Sequence, residues 1–293
     1  MRYLVCIIAA SILFGISPSV QKEIMDSGLG SFAILLPQEI LVCSLSLVLN
    51  YHKIEKLKLN QDQLAELFLL GGLCAATSLL LLGAYRSAPV GLVTTIHFIY
   101  PSFVCIAGLI LFNERLRRLK VFAIIFSILG MACIAGESGS GSLAGVIPAL
   151  LSGLTYAAYM LLVEHGRTRS LCDFARVFYS RAFSAMICLL LNFSVTVREL
   201  ESCCSVYIVL LLLLNGLINF FACFLLVAGV SKIGAAQASF VSLLEPVVSL
   251  ILSTLLYKYD FSFLQTIGCG LIVLSIVMIS ADKTGRQELR HCG

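Results

Sequence analysis

Ten runs of roughly 18 to 25 residues, each nearly free of charge, take up most of this chain, and that length is what an α-helix rising about 1.5 Å per residue needs to cross about 30 Å of hydrocarbon. They fall at Tyr3 to Gln21, Ser31 to Tyr51, Leu64 to Tyr85, Val90 to Phe112, Val121 to Gly136, Leu143 to Val163, Phe174 to Val195, Val206 to Val230, Ala236 to Tyr257 and Phe261 to Ala281. Within lipid the backbone must satisfy its own hydrogen bonds, so runs of this kind specify helices. The chain has 293 residues, 59% apolar and only 12% charged, too few charges to cover a soluble domain of that size. The fold class is therefore an all-α integral membrane protein with ten transmembrane helices. The connections reach about a dozen residues and leave no room for a soluble domain, so the helices themselves must carry the function. The first run lacks a basic leader beyond Arg2 and a small-residue cleavage site, and reads as a retained helix.

Lys and Arg in the short connections set the orientation. With ten spans both termini share a side, and that side collects 14 of the 20 basic residues: Arg2, Lys53, Lys56, Lys58, Arg115, Arg117, Arg118, Lys120, Arg167, Arg169, Lys232, Lys283, Arg286 and Arg290. The other side has Lys22, Arg86, Arg198 and Lys258, while Arg176 and Arg181 lie inside the seventh span. Both termini are expected in the cytoplasm. The net charge of +4 is thus a topology signal and asks for no nucleic-acid partner. The twelve cysteines form no CxxC pair and sit mostly within spans, where a thiol acts as a small apolar group; only the adjacent Cys203 and Cys204 fall in a predicted external connection. With no Trp in the chain, interfacial anchoring falls to residues such as Tyr3, Tyr51, Tyr85 and Tyr257.

The segments "TTIHFIYPSFVCIAGLILF" (Thr94 to Phe112) and "SFVSLLEPVVSLILSTLLY" (Ser239 to Tyr257) align at an offset of 145 residues. The alignment joins Pro101 to Pro246, Thr94 to Ser239, Ile106 to Ile251, Leu111 to Leu256 and Phe112 to Tyr257. Each segment leads through a short polar turn into one further helix. The chain reads as two similar halves, residues 1–137 and 138–293, the second ending in a short cytoplasmic tail. Each half holds an odd number of spans, so the second must enter the membrane from the opposite face. An inverted repeat of this kind argues for alternating access around a central site.

On these residues the chain resembles the drug/metabolite transporter superfamily, in particular its EamA type with two five-helix repeats. The resemblance is carried by "GLVTTIHFIYPSFVCIAGLILFNERL", by its counterpart "AAQASFVSLLEPVVSLILSTLLYKYDF", and by "LSGLTYAAYMLLVEHG" at the start of the second half, and it covers roughly Tyr3 to Ala281. It implies a multi-pass carrier of the cytoplasmic membrane, bacterial in its usual setting and often an exporter. It also implies a cavity lined mainly by the first, third, fourth, sixth, eighth and ninth helices. Two features depart from the pattern. Glu114 follows the fourth span, but Tyr259 stands at the aligned position after the ninth, with Asp260 next, and "LFGIS" in the first span has no Trp before its glycine.

Glu245 is the tenth residue of the ninth span, about 14 Å deep at the helical rise. Carboxylates at that depth are costly and usually face a bundle interior or a wet cavity. Ser242, Glu245, Ser249 and Ser253 recur every three or four residues, which puts them on one helical face. Pro246 withholds a backbone donor beside the carboxylate. Glu245 is expected to line a substrate cavity, with a purely structural interhelical hydrogen bond as the other reading. On the fourth span the matching face carries Thr94, His97, Pro101, Cys105 and Gly108, and the repeat sets Tyr100 against Glu245. His97 is a candidate for substrate binding, for accepting a proton or for a bond to a backbone carbonyl. Glu39 and Arg181 lie in corresponding spans of the two halves and can pair, although Arg181 can equally reach toward the interface beside Arg176. Asn215 and Asn219, one turn apart, and Tyr156 and Tyr159, beside Gly153, suit a polar metabolite or a helix crosslink. Gly130, Gly268 and Gly270 permit close packing, and in the family resembled those helices can form a homodimer contact.

The expected function is secondary transport of a small metabolite in a central cavity between the fourth and ninth helices, with proton linkage or an ion pair on Glu245, Glu39 and Arg181 and gating on Pro101 and Pro246. A facilitative exchanger, or an efflux carrier of amphipathic drugs, is the alternative. A membrane enzyme is the remote one, because there is no HExxH, GxSxG or phosphate-cradling glycine loop and only His97 among four histidines lies well inside a span. No metal or cofactor is expected.

Overall fold

The computed structural model describes residues 2–55, 59–88, 90–112, 118–135, 142–203, 205–257 and 262–281. Glu114, Cys204, Tyr259, Asp260 and the basic tail residues Lys283, Arg286 and Arg290 lie outside them, as do the side chains of Cys203 and Ser253. The helices are α1 (Arg2–Asp26), α2 (Ser31–Glu55), α3 (Gln61–Ser87), α4 (Val90–His97), α5 (Tyr100–Phe112), α6 (Arg118–Ala135), α7 (Leu143–His165), α8 (Asp173–Cys203), α9 (Val206–Ile233), α10 (Ala235–Val241), α11 (Leu244–Tyr257) and α12 (Phe263–Ala281). No strand occurs among the described residues. Among the described residues ten segments are long and apolar enough to cross a membrane, with α4 and α5 sharing one and α10 and α11 another. The outward faces stay apolar: Leu190, Val206 and Phe263 are each more than three-quarters exposed. Patches of that kind on every side need a lipid solvent, so the protein is an all-α integral membrane protein.

Three helix starts are set by local chemistry. Asn60 caps α3 by accepting from the Gln63 amide, and the Gln63 side chain returns the bond to the Asn60 amide, a reciprocal capping box. The Ser205 hydroxyl caps α9 through the Ile208 amide. Gly234, at φ +87°, supplies the turn into α10 that a side chain would resist. α2 and α8 each kink at an asparagine, Asn50 near the end of α2 and Asn192 two-thirds along α8.

The main packing partners are α1 with α9, α3 with α7, α2 with α8, and α6 with α12. Exchanging each helix of the first five spans for its counterpart in the second leaves this pattern unchanged. It also maps the contact of α1 with α10 and α11 onto that of α7 with α4 and α5. Glycine sets the closest approaches. A Cβ at Gly130 would lie 2.8 Å from the Gly268 carbonyl oxygen, and one at Gly268 2.6 Å from that of Gly130. These two glycines therefore serve a contact within one chain, between α6 and α12, while Gly270 faces open space.

Candidate functional site

The fourth and ninth spans each break in the middle. At Phe98 and Ile99, and again at Ser242 and Leu243, the chain leaves the α-helix, and bonds three residues apart (Ile99 N to Ile96 O, Leu243 N to Phe240 O) take over. The cause lies just downstream. Pro101 and Pro246 have no N–H for the carbonyls of His97 and Ser242, four residues earlier, so the helical ladder opens there. A helix of the opposite half fills each break through a glycine. A Cβ at Gly153 of α7 would stand 2.8 Å from the His97 carbonyl oxygen, and one at Gly15 of α1 would stand 2.8 Å from that of Glu245.

Beside these breaks lies a cavity holding about 1120 Å³ of space free of protein atoms, its mouth included. It takes residues from every span except the fifth and tenth, so the second and seventh also contribute, through Leu35, Gln38 and Arg181. One wall, from α3, α4 and α7, is aromatic, with Tyr85, His97, Phe98, Tyr156 and Tyr159. The other, from α1, α2 and α9, carries Ser17, Gln21, Gln38 and Asn219. Consecutive spans run antiparallel across short connections. The lining parts of α1 (Phe14 to Gln21), α2, α3 (Cys74 to Tyr85) and α4 all belong to the halves farther from the N-terminal side. Toward that side, Tyr100, Met160 and Phe240 are fully buried. There the Glu164 carboxylate accepts from the Ala235 amide at the start of α10 at 2.6 Å. The Arg176 guanidinium ties the Val163 carbonyl at 3.0 Å to Asp173 at 2.5 Å and to the Ser231 hydroxyl.

Of the residues singled out in the sequence, Glu245, His97, Tyr156, Ser249, Asn219, Arg181 and Pro246 line the cavity. Tyr100, Ser242 and Pro101 do not. The break explains all three, because a stripe drawn along a continuous helix changes face when the helix is interrupted. Tyr100, first residue of α5, is turned into the protein and its hydroxyl donates to the Ser239 carbonyl at 3.3 Å. Ser242 sits inside the break, fully buried, with no partner for its hydroxyl. Glu245 and Ser249 both belong to α11, one turn apart, and share a face. Glu245 Oε1 has no hydrogen-bond partner and the carboxylate pairs with no described cation.

His97 gives its Nδ1 to the Ser152 hydroxyl at 2.9 Å, and that hydroxyl lies 2.6 Å from the Ala149 carbonyl. Ser152 has one proton, and the shorter contact takes it. Nδ1 is therefore assigned the ring proton, leaving Nε2 as an acceptor. The ring packs 5.7 Å from Tyr156, itself 4.7 Å from Tyr100 and 6.2 Å from Tyr159 between centroids. On the opposite wall Asn219 Nδ2 donates to the Asn215 carbonyl at 2.9 Å and to Ser17 Oγ at 3.1 Å. Ser17 donates to Asn215 Oδ1 at 3.0 Å, and Asn215 Nδ2 to Gln38 Oε1 at 2.9 Å. Ser17, Gln21 and Gln38 escaped the sequence reading: Gln21 closes the first span, where an amide looks like a boundary, and Ser17 and Gln38 carry no charge to mark them within their spans. The usable signal was an uncharged polar stripe on α1, Ser17 and Gln21 one turn apart.

Glu39 of α2 and Arg181 of α8 meet as an ion pair, Nη1 to Oε1 at 2.8 Å, with Glu39 fully buried. The second terminal nitrogen, Nη2, donates to Cys223 Sγ at 2.9 Å. The cavity thus offers an unpaired carboxylate, a histidine acceptor, amides and one guanidinium, within walls that are otherwise apolar.

A crystal structure of 14% sequence identity superposes with a TM-score of 0.77 over 98% of both chains, which establishes the fold. An uncharacterized transporter of Synechocystis sp. is 23% identical over 221 residues, 69% of this chain and 63% of that relative, so the chain spans less than two thirds of its length. The model of the EamA-like transporter family matches residues 1–136 and again 143–281. These matches take in both halves and every residue of the cavity wall, and the chain belongs to the EamA-like transporter family.

Proposed function

We propose that this protein is a secondary transporter of a small metabolite across the cytoplasmic membrane, working by alternating access of two inverted repeats. The observation that carries this reading is the cavity at the two helix breaks, whose lining from α1 to α4 lies on the side opposite the N-terminus, while Glu164 holds the start of α10 on the N-terminal side. With the termini in the cytoplasm, as the basic connections favour, this is the outward-open form. Closing it and opening the other side requires α10 to part from Glu164, and the proline breaks give α4, α5, α10 and α11 places to bend. Export is the direction favoured by the family resemblance. An exchanger or a carrier of amphipathic compounds uses the same cavity without proton movement.

Transport into proteoliposomes under imposed pH gradients, comparing the wild type with Glu245→Gln, tests the reading. The proposal expects metabolite uptake that responds to the gradient and loses that response in the variant. Uptake indifferent to both removes Glu245 from coupling and leaves a facilitative carrier; no uptake of any probe removes transport.

A further inference from the structure

We propose that Arg181 is the docking point for a carboxylate of the transported molecule, and that Glu39 is the residue that positions it. The inference rests on the transport reading above and adds the class of substrate: a small zwitterion such as an α-amino acid, its carboxylate on Arg181 and its ammonium group toward Glu245.

A buried ion pair that serves only to hold helices together should use both partners fully, since the cost of taking two charges out of water is offset only by good geometry and further hydrogen bonds. This pair does not. Arg181 is 8% exposed and spends one N–H on Glu39 Oε1 and one on the weak acceptor Cys223 Sγ; its three other N–H groups have no partner among the described residues. Glu39 Oε2 is likewise unpartnered. The guanidinium lines the cavity, so its spare donors belong to the space a substrate would fill, while fully buried Glu39 stands behind it. A planar fork with spare donors matches a carboxylate.

The charge count selects the class. The described lining residues include one cation, already paired, and one further carboxylate, Glu245. A phosphate dianion would find a single half-neutralised arginine and a repelling glutamate. A molecule with one negative and one positive group leaves the cavity balanced. Two further acceptors on residues of the same lining, Asn219 Oδ1 and His97 Nε2, suit an ammonium or other donor.

The test uses the full chain, purified for thermal stabilisation and reconstituted for counterflow. The probes are L-α-amino acids, their amides, which keep the shape and lose the carboxylate charge, the matching primary amines, and inorganic phosphate. An amino acid should stabilise and exchange, with its amide weaker by about tenfold or more. Arg181→Lys should fold and lose most of that discrimination. The double variant Glu39→Gln with Arg181→Gln removes the buried charges together, so it should fold yet fail to bind the acid; a structural pair would instead leave binding intact. Equal binding of acid and amide, or acid binding retained in the double variant, overturns the proposal. Phosphate binding without amino acid binding overturns the carboxylate assignment. Exchange of amines or amides alone overturns this inference and leaves the transport reading standing, whereas exchange of no probe overturns both.

Discussion

Replacing Gly153 with alanine should loosen the junction between α7 and the broken fourth span. The added Cβ would stand 2.8 Å from the His97 carbonyl oxygen, where ordinary contact begins near 3.4 Å, so the two backbones must separate by about 0.6 Å. The obstacle is main chain and cannot rotate away. Overpacking of this kind costs roughly 1–3 kcal/mol, which lowers an apparent melting temperature by about 2–10 °C in a chain of this size. Gly15→Ala, facing the Glu245 carbonyl at the same distance and Val248 Cβ at 2.8 Å, should behave alike. Gly83→Ala and Gly270→Ala are the controls. Nothing lies within 4 Å of a Cβ at either position, and alanine in a helix is favoured over glycine, so both should melt at or slightly above the wild type. Thermal denaturation in one detergent reads all four. Gly153→Ala melting with the controls would refute the argument that glycine permits the approach to the helix break.

Three further outcomes follow from the polar contacts. Arg181→Leu alone strands fully buried Glu39 and should destabilise by about 3–5 kcal/mol, more than the double variant that removes both charges, by the same thermal assay. Asn215→Leu strands Ser17, Gln38 and Asn219 between α1, α2 and α9 and should cost about 0.6–2 kcal/mol. Glu164→Ala leaves the buried Ala235 N–H without its acceptor, at about 1–3 kcal/mol, and should speed hydrogen exchange at the start of α10 while leaving α12 unchanged.

The ten helices are legible in the sequence because lipid-facing helices are apolar all round and their length is set by the bilayer. The prolines announce the two breaks, but their position is offset: proline disturbs the ladder at the carbonyl four residues earlier, so the chain departs from the helix at Phe98 and at Ser242, before Pro101 and Pro246. That offset misleads for Tyr100 and Ser242, whose faces were judged on an unbroken helix. Glu245 and Ser249 escape the error because both follow the break. The meeting of Glu39 and Arg181 rests on α2 packing against α8, which pairing of corresponding spans suggests and sequence spacing alone does not impose. The amide wall is hidden for a different reason. Gln38 and Asn215 matter through each other, and a contact between residues of α2 and α9 leaves no local pattern.

The central claim is that one cavity serves both sides of the membrane in turn, and two-sided labelling tests it most directly. In a background freed of other thiols, Ser249→Cys, one turn from Glu245 on α11, and Gln21→Cys, in the last third of α1, would be exposed to a membrane-impermeant thiol reagent from either side of oriented vesicles. Alternating access predicts that Ser249→Cys reacts from both sides, and that Gln21→Cys reacts only from the side opposite the termini. Reaction of Ser249→Cys from one side alone, with and without added L-α-amino acid, would contradict the account.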